Sequence, residues 1–209
     1  MVFAVADGLG GLPHGDLASS TAIEELAKET RQATPDTPLP WENIFRKISR
    51  RVFRCAESHG INTTIGTTLT AVQILKGRKL RIGHVGDSGL FVFSSQHAMR
   101  LTTDHTLAQQ EVLIHGQEIL PDLPEFYSHT LTRCIGQEEK LPVEVRDVPA
   151  RRDDRLLLYS DGVTKTWELP ELHQAVNRAA SARGLVEEII TQSNQRGGPD
   201  NVTAIAIFF

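Results

Sequence analysis

The chain has 209 residues, of which 40% are hydrophobic and 23% are charged, and its formal net charge is −4. These values predict one soluble globular domain with a sizeable core. The acidic balance and the lack of a basic stripe disfavour nucleic-acid binding, and no apolar run is long enough to span a membrane. The spacing of Cys55 and Cys134 is not that of a C-x-x-C motif, so we expect both to be reduced thiols that form neither a disulfide nor a zinc site. The sequence begins without a signal peptide, so we expect a cytoplasmic protein.

The first third of the sequence predicts one strand and two helices. Residues 2–6 are apolar and β-prone. Asp16 is a suitable N-cap for an amphipathic helix over residues 17–31. A loop with three prolines at residues 34–40 separates it from a second helix over residues 41–58, whose apolar positions recur at helical spacing.

The rest of the chain predicts a run of strands, then two helices and a closing strand. The predicted strands are residues 67–75, 80–85, 90–94, 141–148, 156–159 and 202–208, and the predicted helices are residues 106–115, 169–180 and 185–195. Residues 121–129 are predicted to be irregular. Segregated helices and mostly antiparallel strands indicate an α+β fold with two packed sheets and helices outside them.

Four aspartates lie next to glycine or proline at predicted strand ends that are far apart in sequence. They are Asp7, Asp87, Asp161 and Asp200. A single Asp-Gly pair after a strand is most often a plain turn. Because the arrangement recurs, we interpret the four carboxylates as a site for a hard cation assembled from several strands.

The sequence resembles the metal-dependent protein phosphatase (PPM, type 2C) family. The resemblance rests on seven pieces in the family's order: VFAVADGLGG…GDLAS, GTTLTAVQI, IGHVGDSGLFVF, LTTDHTLAQ, LTRCIG, DDRLLLYSDGV and GPDNVTAIAI. The resemblance implies a four-layer α-β-β-α sandwich formed by residues 1–209 as one catalytic domain. It also implies hydrolysis of phosphoserine and phosphothreonine by a water that Mn²⁺ or Mg²⁺ activates.

The resemblance assigns the metal ligands, of which Asp7, Asp161 and Asp200 are also the catalytic acids. Asp7 bridges two ions, the backbone carbonyl of Gly8 completes one site, and Asp161 and Asp200 serve the other. Asp87 is similar to the ligand of an optional third ion, which it shares with Asp161. Oxygen ligands suit Mn²⁺ and Mg²⁺, and the lack of a Cys/His cluster in the sequence argues against zinc.

Four residues near these ligands in the sequence are predicted to have supporting roles, and a fifth is predicted not to react. Thr67 and Thr68 support the sheet beneath the ligands, and Asn201 orients the turn at Asp200. Asp104 is expected to cap the helix that follows it rather than to contact metal. Ser160 is not expected to be a nucleophile, because no G-x-S-x-G elbow surrounds it.

The sequence departs from the family pattern at three places. The family's strand before VADG, which carries a phosphate-binding Arg and an acidic pair, is not found here, so we expect Mn²⁺ binding but weak turnover. Leu12 stands where bacterial relatives often have His, and His14 is a candidate substitute with a surface histidine as the alternative. Gly89 stands where many relatives have Arg.

Three functions remain open from the sequence. The first, which we favour, is an active Mn²⁺- or Mg²⁺-dependent phosphatase that acts on phosphoproteins and opposes a Ser/Thr kinase. The second is a catalytically weakened phosphatase-like module that binds or regulates. The third is a two-metal hydrolase of small phosphate esters. Residues 121–129 correspond to the family's variable flap, and we expect them to be mobile, near the cleft and important for substrate choice.

Overall fold

The structure is a computed structural model that describes residues 1–9, 14–58, 65–136 and 141–209. Its strands are β1 (Val2–Val5), β2 (Leu69–Leu75), β3 (Lys79–Val85), β4 (Gly89–Phe93), β5 (Ala98–Arg100), β6 (Glu144–Pro149), β7 (Arg155–Tyr159) and β8 (Ala204–Phe208). Its α-helices are α1 (Gly15–Glu29), α2 (Trp41–Ser58), α3 (Leu107–His115), α4 (Asp161–Thr164), α5 (Leu169–Arg178) and α6 (Ala182–Gln195).

The strands form two antiparallel sheets of four strands each. The first has the order β1-β2-β3-β6 and the second the order β5-β4-β7-β8. In the first sheet Val5 pairs with Thr70, and Thr70 pairs with His84, so three strand ends lie side by side at one edge of the molecule. In the second sheet Tyr159 at the end of β7 pairs with Ala204 at the start of β8. Residues that directly follow β1 and β7 therefore reach the same end of the two sheets.

Alternation along the strands builds the core between the sheets. Leu156 and Leu158 of β7 pack in the apolar cluster between the sheets, and Leu157 and Tyr159 pack with the helices on the other face. This period of two is the one that β geometry requires when both faces of a strand are buried.

Helices cover the outer faces of both sheets. Helices α1 and α2 pack on the first sheet, where Trp41 and Phe45 make an edge-to-face contact with ring centroids 5.8 Å apart. Helices α5 and α6 cover the second sheet. The predicted α+β fold and its four-layer α-β-β-α sandwich are confirmed.

The structure corrects several predicted elements. Helix α1 begins at Gly15 after His14, whose φ is 65°, so Asp16 lies in the first turn of the helix and is not the N-cap. An acid in the first turn still interacts favourably with the helix dipole. Strand β5 and helix α4 were not predicted, because three and four residues are too few for a periodic pattern. The predicted strand over residues 141–148 is shorter and shifted, since it begins at Glu144.

No helix in the described residues is both long enough and apolar enough to cross a membrane.

We expect Leu158→Ala to reduce the free energy of unfolding by about 2–5 kcal/mol, because it opens a cavity in the core between the sheets. The side chain of Leu158 is 0% exposed. Leu113→Ala is the matched control, since Leu113 is 73% exposed and its removal should change stability by less than about 0.5 kcal/mol. Urea unfolding measures both, and equal losses would contradict the assignment of this core.

Candidate metal centre

A cleft of about 210 Å³ lies at the end of the two sheets where the predicted acids were expected. Its lining includes all five predicted ligand residues, and the described residues that form it are Asp7, Gly8, Leu9, Thr68, Asp87, His129, Leu131, Asp161, Lys165 and Asp200. The structure therefore brings together acids that lie far apart in the sequence, from Asp7 near its start to Asp200 near its end.

Two threonines hold the backbone of Asp7 in place after β1. The Asp7 amide donates to Thr68 Oγ1 at 2.9 Å, and Thr67 Oγ1 donates to the Asp7 carbonyl at 2.8 Å. The Thr68 amide donates to the same carbonyl at 2.8 Å. These bonds satisfy the backbone of Asp7 and leave its carboxylate free to project into the cleft, which agrees with the supporting role predicted for Thr67 and Thr68.

Gly8 is fixed by a close approach to the first turn of α1. A Cβ atom on Gly8 would lie only 2.1 Å from the carbonyl oxygen of Gly15. Gly8 also forms an isolated antiparallel bridge with Thr67. Glycine is therefore required for steric reasons, and the chain next to Asp7 is held from two sides.

Asp87 follows a turn that a buried histidine braces. Gly86, at φ 110°, donates its amide to His105 Nδ1 at 3.1 Å, and the His105 amide donates to the Gly86 carbonyl at 2.9 Å. A Cβ on Gly86 would lie 2.6 Å from Cγ2 of Thr68. The turn that carries Asp87 is thus packed directly on the threonine that holds Asp7.

Asp161 and Asp200 lie on adjacent segments that Ser160 ties together. Ser160 Oγ accepts from the Thr203 amide at 3.0 Å and donates to the Asn201 carbonyl at 3.3 Å. Ser160 is 1% exposed, so it is a structural residue and not a nucleophile, as predicted. Asp200 Oδ1 accepts from the Asn201 amide at 2.8 Å, which fixes the carboxylate in the turn.

Sequence reasoning missed Lys165, which lies between two of the acids. Its Nζ is 2.6 Å from Oδ2 of Asp161 and 2.5 Å from Oδ2 of Asp200. The signal was present in the sequence, because Lys165 follows Asp161 by four residues and this spacing places side chains on one face of a helical turn. The helix was not predicted, so the pair was not found.

Burial and mutual repulsion perturb the pKa of the clustered acids. Burial, followed by the charge of Asp161 and a hydrogen bond with its carboxyl group, raises the pKa of Asp7 to about 7. Burial, followed by the charges of Asp161 and Asp104, raises the pKa of Asp87 to about 7. Burial also raises the pKa of Asp200, but the hydrogen bonds from Lys165 and the Asn201 amide and the charges of Lys165 and His129 together outweigh it, and the net shift is downward. The cleft holds more negative charge than its surroundings neutralise.

Asp104 does not have the capping role that was predicted for it. Asp104 does not cap α3, because Thr106 Oγ1 accepts from the Gln109 amide at 3.2 Å and is the N-cap. Asp104 instead pairs with Arg100 through both carboxylate oxygens. The guanidinium of Arg100, four residues earlier at the end of β5, is a stronger partner for this carboxylate than a helix amide.

His14 and Gly89 have structural positions outside the acid cluster. His14 immediately precedes α1, its side chain is exposed, and it is not among the described residues that line the cleft. Its suggested role as an acid stays a prediction. A Cβ on Gly89 would lie 2.3 Å from the hydroxyl of Tyr159, so this position has no room for the arginine of the relatives in the observed packing.

A second group of possible ligands lies between the sheets. It consists of His84, His105 and Glu144. Nδ1 of His84 is 2.8 Å from Thr70 Oγ1, and its Nε2 is 3.0 Å from the Thr103 carbonyl, which can only accept. The proton of the His84 ring is therefore on Nε2, and the lone pair of Nδ1 accepts the hydrogen bond of the Thr70 hydroxyl, so neither nitrogen is free to bind a metal. Since His105 Nδ1 already accepts from Gly86, the group is a hydrogen-bonded support for the Asp87 turn.

The predicted flap borders the cleft. Residues 117–128 form two short 3₁₀ segments, Gln117–Asp122 and Glu125–Ser128, and the side chains there are mostly exposed. His129 and Leu131, which follow them, line the cleft beside the acids. The predicted proximity is confirmed, and mobility and substrate choice stay predictions.

The sequence matches the family model described as protein phosphatase 2C over residues 1–204. The chain belongs to the protein phosphatase 2C family. It is 31% identical to the serine/threonine phosphatase stp of Listeria welshimeri over 212 residues, which cover 99% of this chain and 83% of the relative. The resemblance stated from the sequence is therefore confirmed.

Solved structures agree with this membership. The PPM Ser-Thr phosphatase MsPP from Mycobacterium smegmatis, solved in complex with cacodylate, has a TM-score of 0.84 and 28% identity, and the match covers 100% of this chain and 88% of that one. The catalytic domain of the phosphatase PstP, solved with two manganese ions, has a TM-score of 0.78 and 26% identity over 98% and 86% of the chains. The predicted class, a metal-dependent serine/threonine protein phosphatase, is confirmed through the family.

The acid cluster predicts that the metal-free phosphatase domain loses stability as the pH rises towards neutrality. The pKa values of Asp7 and Asp87 are about 7 in the folded chain against an ordinary 3.8. Between these values the folded chain binds more protons than the unfolded chain, so the free energy of unfolding falls as the pH rises.

Thermal melts from about pH 5 to about pH 8 in a chelator measure this loss, and Asp7→Asn should make the fall in melting temperature shallower. Saturating Mn²⁺ should raise the melting temperature, and more at the higher pH, because cation binding favours the ionised acids. An unchanged slope in Asp7→Asn, or no effect of Mn²⁺ at either pH, would contradict this description of the cluster.

Proposed function

We propose that this chain hydrolyses phosphoserine and phosphothreonine on protein substrates with two Mn²⁺ or Mg²⁺ ions. Asp7, the backbone carbonyl of Gly8, Asp161 and Asp200 would hold these ions, and Asp87 with Asp161 could hold a third. The proposal treats residues 1–209 as one catalytic domain, which the family match over residues 1–204 supports.

One observation supports this assignment above the others: four carboxylates from distant parts of the sequence line one small cleft. Two of them, Asp7 and Asp87, have pKa values raised to about 7, so the cleft as built favours added positive charge. The available donors are carboxylate and carbonyl oxygens, which are the ligands that Mn²⁺ and Mg²⁺ prefer.

Residues around the cleft hold the proposed metal ligands in position. When bound, paired divalent ions lower the pKa of a water molecule and stabilise charge on phosphoryl oxygens. Thr67 and Thr68 hold Asp7 through backbone bonds, and Ser160 holds the segment that presents Asp161. Because these supports are buried and hydrogen-bonded, the ligand geometry is set before any ion or substrate enters.

A phosphoprotein substrate would approach the cleft beside the flap, whose last residue, His129, is among the described residues that line the cleft. Burial raises the pKa of Asp200, Lys165 and the Asn201 amide lower it, and the charge of His129, which lies beside the acids, adds to that lowering. The named relative acts in the serine/threonine phosphatase class, which supports the same substrate class here. Opposition to a Ser/Thr kinase and a cytoplasmic location stay predictions from the sequence.

The test is Mn²⁺-dependent release of phosphate from a phosphothreonine peptide and from a small aryl phosphate. Asp7→Asn should lower kcat at least about 100-fold, because it weakens the ligand proposed to bridge both ions. Asp36→Asn is the control with the same charge change, since Asp36 lies in the proline loop in an exposed ion pair with Lys76.

Two results would contradict the proposal. Phosphate release that is equal with Mn²⁺ and with chelator would exclude the metal-dependent mechanism. Turnover of the aryl phosphate without turnover of the phosphothreonine peptide would favour a hydrolase of small phosphate esters.

A further inference from the structure

The Lys165 ammonium lies between two of the clustered acids. Its ammonium contacts one carboxylate oxygen of Asp161 and one of Asp200, at 2.6 Å and 2.5 Å. Among the described residues that line the cleft it is the one lysine or arginine. A cation bound to both acids would compete with the ammonium for these two carboxylates.

The surroundings of Lys165 favour this pairing. Helix α4 starts at Asp161, and the Lys165 amide donates to the Asp161 carbonyl at 2.9 Å, so the turn that presents the acid also presents the lysine. Gly162 is packed so closely that a Cβ there would lie 2.2 Å from the Asn201 carbonyl oxygen. The segments of Asp161 and Asp200 are therefore fixed against each other with the ammonium between their side chains.

We propose that the ammonium of Lys165 is a resident counter-ion of the Asp161–Asp200 pair and competes with the divalent cation for these carboxylates. This inference rests on the proposed function, because it concerns the same metal site. The lysine stabilises the metal-free chain, and the cation must displace it to bind both acids. The chain therefore takes up Mn²⁺ with lower affinity than the same acids would have without the lysine.

Displacement is sterically accessible. The Lys165 side chain is 29% exposed, and its flexible stem allows the ammonium to leave the acids without movement of α4. Mn²⁺ carries twice the charge of the ammonium and can contact both carboxylates at shorter distances. Competition thus sets a threshold of cation concentration and does not abolish binding.

Competition predicts opposite effects of one substitution in the two states of the chain. Lys165→Met removes the positive charge and keeps a flexible stem. Without metal, the carboxylates lose their ammonium partner, so the melting temperature should fall. The affinity for Mn²⁺ should rise about tenfold or more, because no ammonium has to be displaced. The rise in melting temperature on adding Mn²⁺ should therefore be larger than in the wild type.

The experiment measures Mn²⁺ affinity by isothermal titration calorimetry and melting temperatures in chelator and in saturating Mn²⁺. Lys47→Met is the matched control, since Lys47 lies on α2 in an ion pair with Glu29 at 2.9 Å, outside the cleft. It should leave the Mn²⁺ affinity unchanged. Lys165→Arg retains the charge and should keep the affinity near that of the wild type. If Lys165→Met does not fold, Lys165→Gln provides the same neutralisation with a polar side chain.

The possible outcomes separate this inference from the function on which it rests. Equal Mn²⁺ affinity in the wild type and in the neutral variant would overturn the competition and leave the phosphatase proposal standing. The same loss of melting temperature with and without Mn²⁺, and no gain in affinity, would show a purely structural lysine. Failure of both proteins to bind Mn²⁺ would instead remove the proposed metal site.

Discussion

The repulsion among carboxylates that the fold forces into one cleft is the constraint on which the rest of this structure depends. Asp7, Asp87, Asp161 and Asp200 come from distant parts of the sequence and line a space of about 210 Å³. Without compensation such a cluster opposes folding. Proton uptake by Asp7 and Asp87 and the ammonium of Lys165 reduce that cost, and the packed sheets on either side supply the stability that holds the acids together.

The scaffold meets this constraint with backbone contacts. Thr67 and Thr68 form hydrogen bonds with the backbone carbonyl and amide of Asp7. At Gly8 and at Gly162, a neighbouring chain segment approaches more closely than a Cβ atom would permit. A buried histidine, His105, performs the same task for the Asp87 turn. Burial lowers its pKa to about 4, with a further contribution from Arg133, so it remains a neutral acceptor at physiological pH.

The sequence allowed the fold class and the acids to be predicted for a physical reason. Alternating apolar strands show which faces are buried, and acids next to glycine mark where strands end, so both features are local. Pairs of charged groups are harder to predict. Lys165 reaches Asp200 across 35 positions of sequence, and the pair of Arg100 and Asp104 is four positions apart but lies outside any helix, so neither pair belongs to a periodic pattern. Short elements such as α4 could not be predicted for a related reason, because a single helical turn is too short to show a periodic pattern.

The electrostatics of the cleft depend on Lys165. A site made only of acids is neutralised by bound metal or by proton uptake, so its metal-free form is strained and its affinity for cations is high. Placing a lysine four residues after Asp161 transfers part of that neutralisation to the protein itself. The same side chain that lowers the strain of the empty cleft also lowers the gain from filling it. Stability without metal and affinity for metal are therefore coupled with opposite sign through one ammonium group.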